Sequence, residues 1–158
     1  MQKPDAPVAK VQILIRKPAS EVFRAITTPE GLERFWLSKA SGSLKPNATV
    51  QWDFMVPGIS DQVTVKAFEP DSNLLLEFSD GTTAQWRLVS RTDGHTKLEV
   101  SNWGFKGTPE EVIEQALEST QGFTLVLSDL KLFLEQGRSP NLTRDKALLI
   151  EEHLRDQA

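Results

Sequence analysis

Few side chains in this sequence are equipped for covalent or acid–base chemistry, and their spacing disperses them. The two histidines stand far apart: His95 follows Asp93-Gly94 at a turn, and His153 falls near the C-terminus. Cysteine is absent, which removes thiolate nucleophiles, disulfides and Cys-based zinc sites. No HExxH or comparable metal-ligand spacing occurs, so neither a metal nor another cofactor is expected. Tyrosine is absent too, and with it a common acid or oxyanion donor. Most carboxylates have local employment. Glu110 and Glu111 sit at a helix start, where the dipole favours negative charge, and Asp80 and Asp93 precede glycines in turns. Glu33 and Asp53 could act as acid or base only where desolvated, and a solvated face is the plainer reading. Catalysis is therefore not the expectation. Asn102 is more informative, because it falls in register with Leu98 and Val100 on a strand. An inward amide there needs a partner, and the candidates are Thr120, Thr124, a water or a ligand. The alternative is a strand-end Asn that faces solvent.

The bounds on the chain are ordinary. Its 158 residues, 39% hydrophobic and 25% charged, suit one soluble domain. The net charge is −4 and no stretch gathers Lys and Arg into a patch, so a nucleic-acid partner is not expected. The opening "MQKPDAPVAK" has no apolar core of a secretory signal. No run approaches the ~20 apolar residues of a membrane span. A cytoplasmic protein with no membrane partner is the expectation.

The elements that must position Asn102 and the aromatic residues follow from periodicity. Val11, Ile13 and Ile15 alternate with polar neighbours and predict a strand over about 9–16. Pro18 suits the first turn of a helix that "ASEVFRAIT" continues, and Thr28-Pro29 starts a second, "EGLERFW", ending near Trp36. From about 38 to 103 the period changes to two: Val50, Trp52 and Phe54; Leu74, Leu76 and Phe78; Ala84, Trp86 and Leu88; Leu98 and Val100. Turn signals separate these runs, among them Asp-Gly at 80–81 and 93–94, and predict an antiparallel meander.

A single long helix is predicted over 109–136. Thr108 and Glu111 form a capping box, Pro109 takes the first helical position, and Gly137 supplies a left-handed stop. Val112, Ala116, Thr120, Phe123, Leu127, Leu130 and Leu134 make its central stripe, flanked by Val126 and Phe133 on one side and Ile113 and Leu117 on the other. A helix this broadly apolar, about 40 Å long, is expected to lie in a groove. Leu125 and Leu132 project from the opposite face. Beyond it, "TRDKALLIEEHLRDQA" opens on Thr143 as an N-cap and predicts a short tail helix, which, or else a second subunit, would cover Leu125 and Leu132.

This order of elements, with "KPASEVFRAITTPEGLERFW" at 17–36, "TKLEVSNWGF" at 96–105 and "QGFTLVLSDLKLFLEQG" at 121–137, resembles the START-like helix-grip superfamily (SRPBCC). More narrowly, it resembles the group named after the C-terminal domain of the heat-shock-protein-90 ATPase activator, with Phe123 at the family's aromatic position. The resemblance implies an α+β helix-grip fold: a curved antiparallel sheet of about six to seven strands, two short helices, and a long C-terminal helix across the sheet. The expected organisation is a flexible N-terminus at 1–8, the domain at 9–137, and a C-terminal extension with a short helix at 138–158. It further implies a ligand cavity between helix and sheet, walled by Trp36, Trp52, Trp86, Leu98, Val100, Phe123 and Leu127, with Asn102, Thr120 and Thr124 as its polar groups. Ordinary core packing is the alternative for each apolar wall residue. The function implied first is that of a non-catalytic carrier or sensor for a small hydrophobic or amphipathic ligand. A chaperone ATPase regulator in the stress response, with a chaperone or other protein partner, is the second reading. A cyclase- or hydrolase-like enzyme is the third. Monomer and homodimer are both compatible with the pattern.

Overall fold

A computed structural model describes residues 6–157; residues 1–5 of the predicted N-terminal segment lie outside the described residues. The chain runs β1 (Ala9–Ile15), α1 (Ala19–Thr27), α2 (Pro29–Phe35), β2 (Leu37–Ala40), β3 (Thr49–Phe54), β4 (Ser60–Glu69), β5 (Asn73–Phe78), β6 (Thr83–Ser90), β7 (Thr96–Trp103), α3 (Pro109–Gln136) and α4 (Leu142–Asp156). The seven strands form one antiparallel sheet in the order β1-β7-β6-β5-β4-β3-β2. β2 through β7 are a meander, and β1 closes it by pairing with β7. The register shifts at Leu37/Lys39 and at Val65/Ala67, and such bulges bend their strands, which curves the sheet around the helix. Gly81 and Gly94 take φ of 87° and 83° in the two Asp-Gly turns, conformations that glycine adopts without strain.

The helix ends follow their local chemistry. Thr28 accepts from the Gly31 amide at the start of α2, with Pro29 behind it. The capping box of α3 is complete: Glu111 N–H donates to Thr108 Oγ1 at 3.2 Å, and Thr108 N–H donates to Glu111 Oε1 at 3.0 Å. Gly137 ends α3 with φ 72°. Two starts differ from expectation. Pro18 is itself the N-cap of α1, not part of its first turn. α4 begins at Leu142, one residue before Thr143, and its N-cap Asn141 makes no side-chain cap. The cap comes instead from Asp129 on α3, as described below. α4 also spans 15 residues, longer than a short tail helix.

Helix α3 crosses the sheet with Val126, Leu127 and Leu130 buried. Its C-terminal half is fastened to the edge of the sheet by Lys131, whose Nζ donates to the Leu14 carbonyl at 2.6 Å and to Glu135 Oε2 at 2.7 Å. The Arg16 amide donates to the same carboxylate at 2.8 Å. Burial of Glu135 opposes its ionisation, but the hydrogen bonds from Lys131 and Arg16 prevail and hold its carboxyl below the usual range. The N-terminal half differs from the sequence reading. Ile113 and Leu117 are 51% and 67% exposed, because this part of α3 buries only Ala116 and presents its flank to solvent. At the other end of the domain α1 and α2 meet at Gly31, where a Cβ would stand 2.2 Å from the Ala25 carbonyl oxygen.

Candidate functional site

Between α3 and the sheet the space is filled by aromatic rings. Trp52 of β3 and Trp86 of β6 are both buried. Trp36, at the C-terminal cap of α2, packs on them with centroid distances of 4.9 and 5.6 Å. Phe123 of α3 meets Trp36 at 5.8 Å and Trp86 at 5.9 Å, both edge-on. Tilted and edge-to-face contacts at these separations favour the ring quadrupoles. Leu98, Val100 and Leu127 are buried in the same core. Neither the Trp52 nor the Trp86 indole N–H has an acceptor among the described residues.

A cleft of about 430 Å³ opens on the far side of Trp36 and Phe123. Its other walls are Phe54, Val56 and Ile59 of the β3–β4 hairpin, Val126 and Leu125 of α3, and Ala147 and Ile150 of α4. Of the predicted wall residues, Trp36 and Phe123 line this cleft; Trp52, Trp86, Leu98, Val100 and Leu127 lie behind them. The displacement has a simple cause. Trp36 occupies the volume under the helix, and α4 returns along α3 to enclose new volume beside it. Leu125, on the face that periodicity marks as outward, therefore faces α4 across the cleft, while Leu132 is half-buried.

Two residues that sequence reasoning missed shape this cleft. Gly122 stands in the middle of α3, where glycine costs about 1 kcal/mol relative to alanine. A Cβ there would meet no atom within 4 Å, so the missing side chain leaves open space. Asp129 is 1% exposed, and its carboxylate accepts from the Leu142 and Thr143 amides at 3.2 and 2.8 Å. Those amides are donors that the first turn of α4 cannot satisfy, and a carboxylate there also meets the positive end of the dipole. The signals were present: a glycine inside a helical pattern, and an Asp on the Val126–Phe133 flank of the apolar stripe.

A second cleft of about 600 Å³, more polar than the first, adjoins it along Ser119, Gly122, Lys146 and Ile150. Asn102 reaches its wall and is buried with both ends of its amide satisfied. Nδ2 donates to the Thr83 carbonyl at 2.8 Å, and Oδ1 accepts from Ser119 Oγ at 2.7 Å. The partner is thus Ser119, one residue before Thr120. Thr120 and Thr124 spend their hydroxyls on their own helix, donating to the Ala116 and Thr120 carbonyls at 2.7 Å each. Thr120 is half-buried, and Thr124 is exposed.

Four further carboxylates make structural hydrogen bonds. Glu111 is held below its usual range by the Thr108 amide, and Asp93 by the His95 amide. Glu33 accepts from the Ala40 amide at 3.0 Å, and Asp53 accepts from the Gln51 side chain at 3.0 Å. Among the described residues no three His, Asp or Glu side chains converge as a metal site, and no helix is long and apolar enough to cross a membrane.

The family described as Activator of Hsp90 ATPase homolog 1-like protein matches residues 16–135. Solved structures share the fold at low identity. The Aha1 dimer from Colwellia psychrerythraea superposes with a TM-score of 0.74 at 18% identity, over 84% of this chain and 99% of that one. Protein SSP2350 from Staphylococcus saprophyticus gives 0.73 at 19% identity, over 84% and 95%. CalU16 from Micromonospora echinospora gives 0.68 at 18% identity, over 91% and 86%. No curated protein matches the chain.

Proposed function

The chain belongs to the Activator of Hsp90 ATPase homolog 1-like family, and on that footing we propose that it binds a small apolar molecule in the cleft between α3, the β3–β4 hairpin and α4. The observation that carries this reading is the cleft's wall. Rings and aliphatic side chains line about 430 Å³ that the core leaves unfilled, and ligand sites of this size are concave and mostly apolar. Gly122 supports it, since a residue that weakens its helix while keeping space empty suits a site that receives something. The role is that of a carrier or sensor: Trp36 and Phe123 form the inner wall, and Trp52, Trp86, Leu98, Val100 and Leu127 back them as a rigid support.

The test fills the space. Gly122→Leu starts a side chain from a Cβ position with no atom within 4 Å and raises helix propensity by about 1 kcal/mol. Its thermal midpoint should be equal to or above that of the parent protein. Its affinity for the fluorescent apolar probe N-phenylnaphthylamine should fall by at least about tenfold, or 1.4 kcal/mol. A parent protein that fails to bind the probe, or a variant that binds it equally well, sinks the reading.

A second reading, a protein-interaction module of the chaperone-regulator kind, is favoured by one observation. Ile113 and Leu117 on α3 and Leu148, Leu149 and Leu154 on α4 are exposed large apolar residues. Exposed apolar side chains on two helices that pack together suit a partner surface. The Colwellia protein is described as a dimer, so self-association is the first partner to test. Deleting residues 139–158 should lower the thermal midpoint, because it uncovers Leu125 and Val126. An accompanying halving of sedimentation mass supports the second reading; an unchanged mass removes α4 from it.

A further inference from the structure

We infer that the molecule bound in the apolar cleft is amphipathic, with an uncharged, hydroxylated head that lies in the adjoining polar cleft; this rests on the reading of the apolar cleft given above. The two clefts share Ser119, Gly122, Lys146 and Ile150, so one molecule can extend from one to the other past the missing side chain of Gly122. The chemistry changes across that boundary. On one side stand Phe54, Phe123 and Val126; on the other Asp80, Thr82, Gln115, Glu118, Gln121 and His153 join the apolar Phe105 and Leu149. A wholly apolar ligand extending across it would cover polar groups without pairing them, which costs free energy for each group desolvated.

The charges present choose the head. Asp80 and Glu118 oppose an anion, whereas the Lys146 ammonium opposes a cation. Lys146 is already engaged, donating to Gln121 at 2.9 Å. Asp80 is engaged as well, accepting from the Thr82 amide and hydroxyl at 2.8 and 2.7 Å, and Gln115 Nε2 donates to the Lys106 and Glu111 carbonyls. The Gln121 amide nitrogen and the oxygens of Thr82, Ser119 and Gln115 remain, a mixed neutral set that matches a group carrying several hydroxyls. The Asn102–Ser119–Thr83 hydrogen bonds fix the inner end of this surface, so its donors and acceptors are held in place before any ligand arrives.

The experiment is competition against N-phenylnaphthylamine by four molecules with the same eight-carbon tail: octyl glucoside, octanol, octyl sulfate and octyltrimethylammonium. Octyl glucoside should displace the probe at a concentration at least about tenfold below that of octanol, and neither charged molecule should match it. Glu118→Trp, at an exposed position that lines only the polar cleft, should erase that advantage while leaving probe and octanol affinities unchanged. Gly122→Leu should weaken all of them. If octanol and octyl glucoside compete equally, or if a charged head competes best, the inference is overturned while the apolar cleft stands. If the probe itself does not bind, both fail together.

Discussion

Trp52→Ala should lower the unfolding free energy by about 3–5 kcal/mol, whereas Phe123→Ala should cost only about 1–2 kcal/mol and instead abolish most probe binding. Both residues are large aromatics in one contact network, yet they stand on different sides of a boundary. Trp52 is fully buried against Trp36 and Phe78, so its removal leaves a void enclosed by core. Phe123 shares its ring between Trp36 and Trp86 on one side and the cleft on the other, where empty volume already exists. Truncation there removes area without creating a new closed cavity, and the ligand loses an aromatic wall. Urea midpoints measured alongside displacement of an apolar fluorophore separate the two cases. Equal losses of stability, with unchanged probe affinity in Phe123→Ala, would show that Phe123 is core and the cleft is closed.

Gly31→Ala should be among the most damaging single-methyl changes in the chain, costing more than about 3 kcal/mol. The added carbon would lie 2.2, 2.5 and 2.7 Å from the carbonyl oxygen, Cα and carbonyl carbon of Ala25. These are backbone atoms of the preceding helix, so no rotamer change relieves the overlap, and α2 must pull away from α1. That separation would disturb Leu32 and Phe35, both fully buried, and Trp36 at the helix end. Gly122→Ala is the internal control. The same substitution in a helix with open space around it should be neutral or stabilise by up to about 1 kcal/mol. Opposite signs at the two glycines, read from thermal or denaturant midpoints, are the expected outcome. A loss below about 1 kcal/mol in Gly31→Ala would mean that the α1–α2 contact yields easily.

Legibility in the sequence followed the range of the interactions. Thr108 with Glu111, Thr28 with Gly31, and the Asp-Gly turns are settled within four residues, and pattern alone located them. The alternation that placed Trp52, Trp86, Leu98 and Val100 on the inner face of the sheet was equally readable, because a strand has only two faces. Whether that face borders a cavity depends on Trp36, which arrives from a separate helix to fill the space. Periodicity assigned Leu125 outward because it cannot know that α4 returns along that side of α3. Pattern left Asn102 open between an inward amide with a partner and a strand end in solvent; it is inward, and a rotation of one residue along α3 gave the bond to Ser119 and left Thr120 with its own backbone. Asp129 stood on an apolar flank where a charge demands explanation, and its explanation lay thirteen residues on in α4.

The attachment of α4 also sets a hierarchy of opening. Its substantial packing is against α3 alone, and no strand joins it through a hydrogen-bonded ladder. Ala147 is the one residue of its own that is buried. Its release uncovers Leu125 and Val126 but breaks few side-chain hydrogen bonds beyond those to Asp129 and Gln121, and it leaves the sheet intact. Amide hydrogens of α4 would then exchange with solvent through a local event of much lower free energy than global unfolding, while those of β6 and β7 would wait for the whole domain to open. The wall of the cleft would be renewed many times during the lifetime of the fold that carries it, and a bound molecule would slow that exchange in proportion to its occupancy.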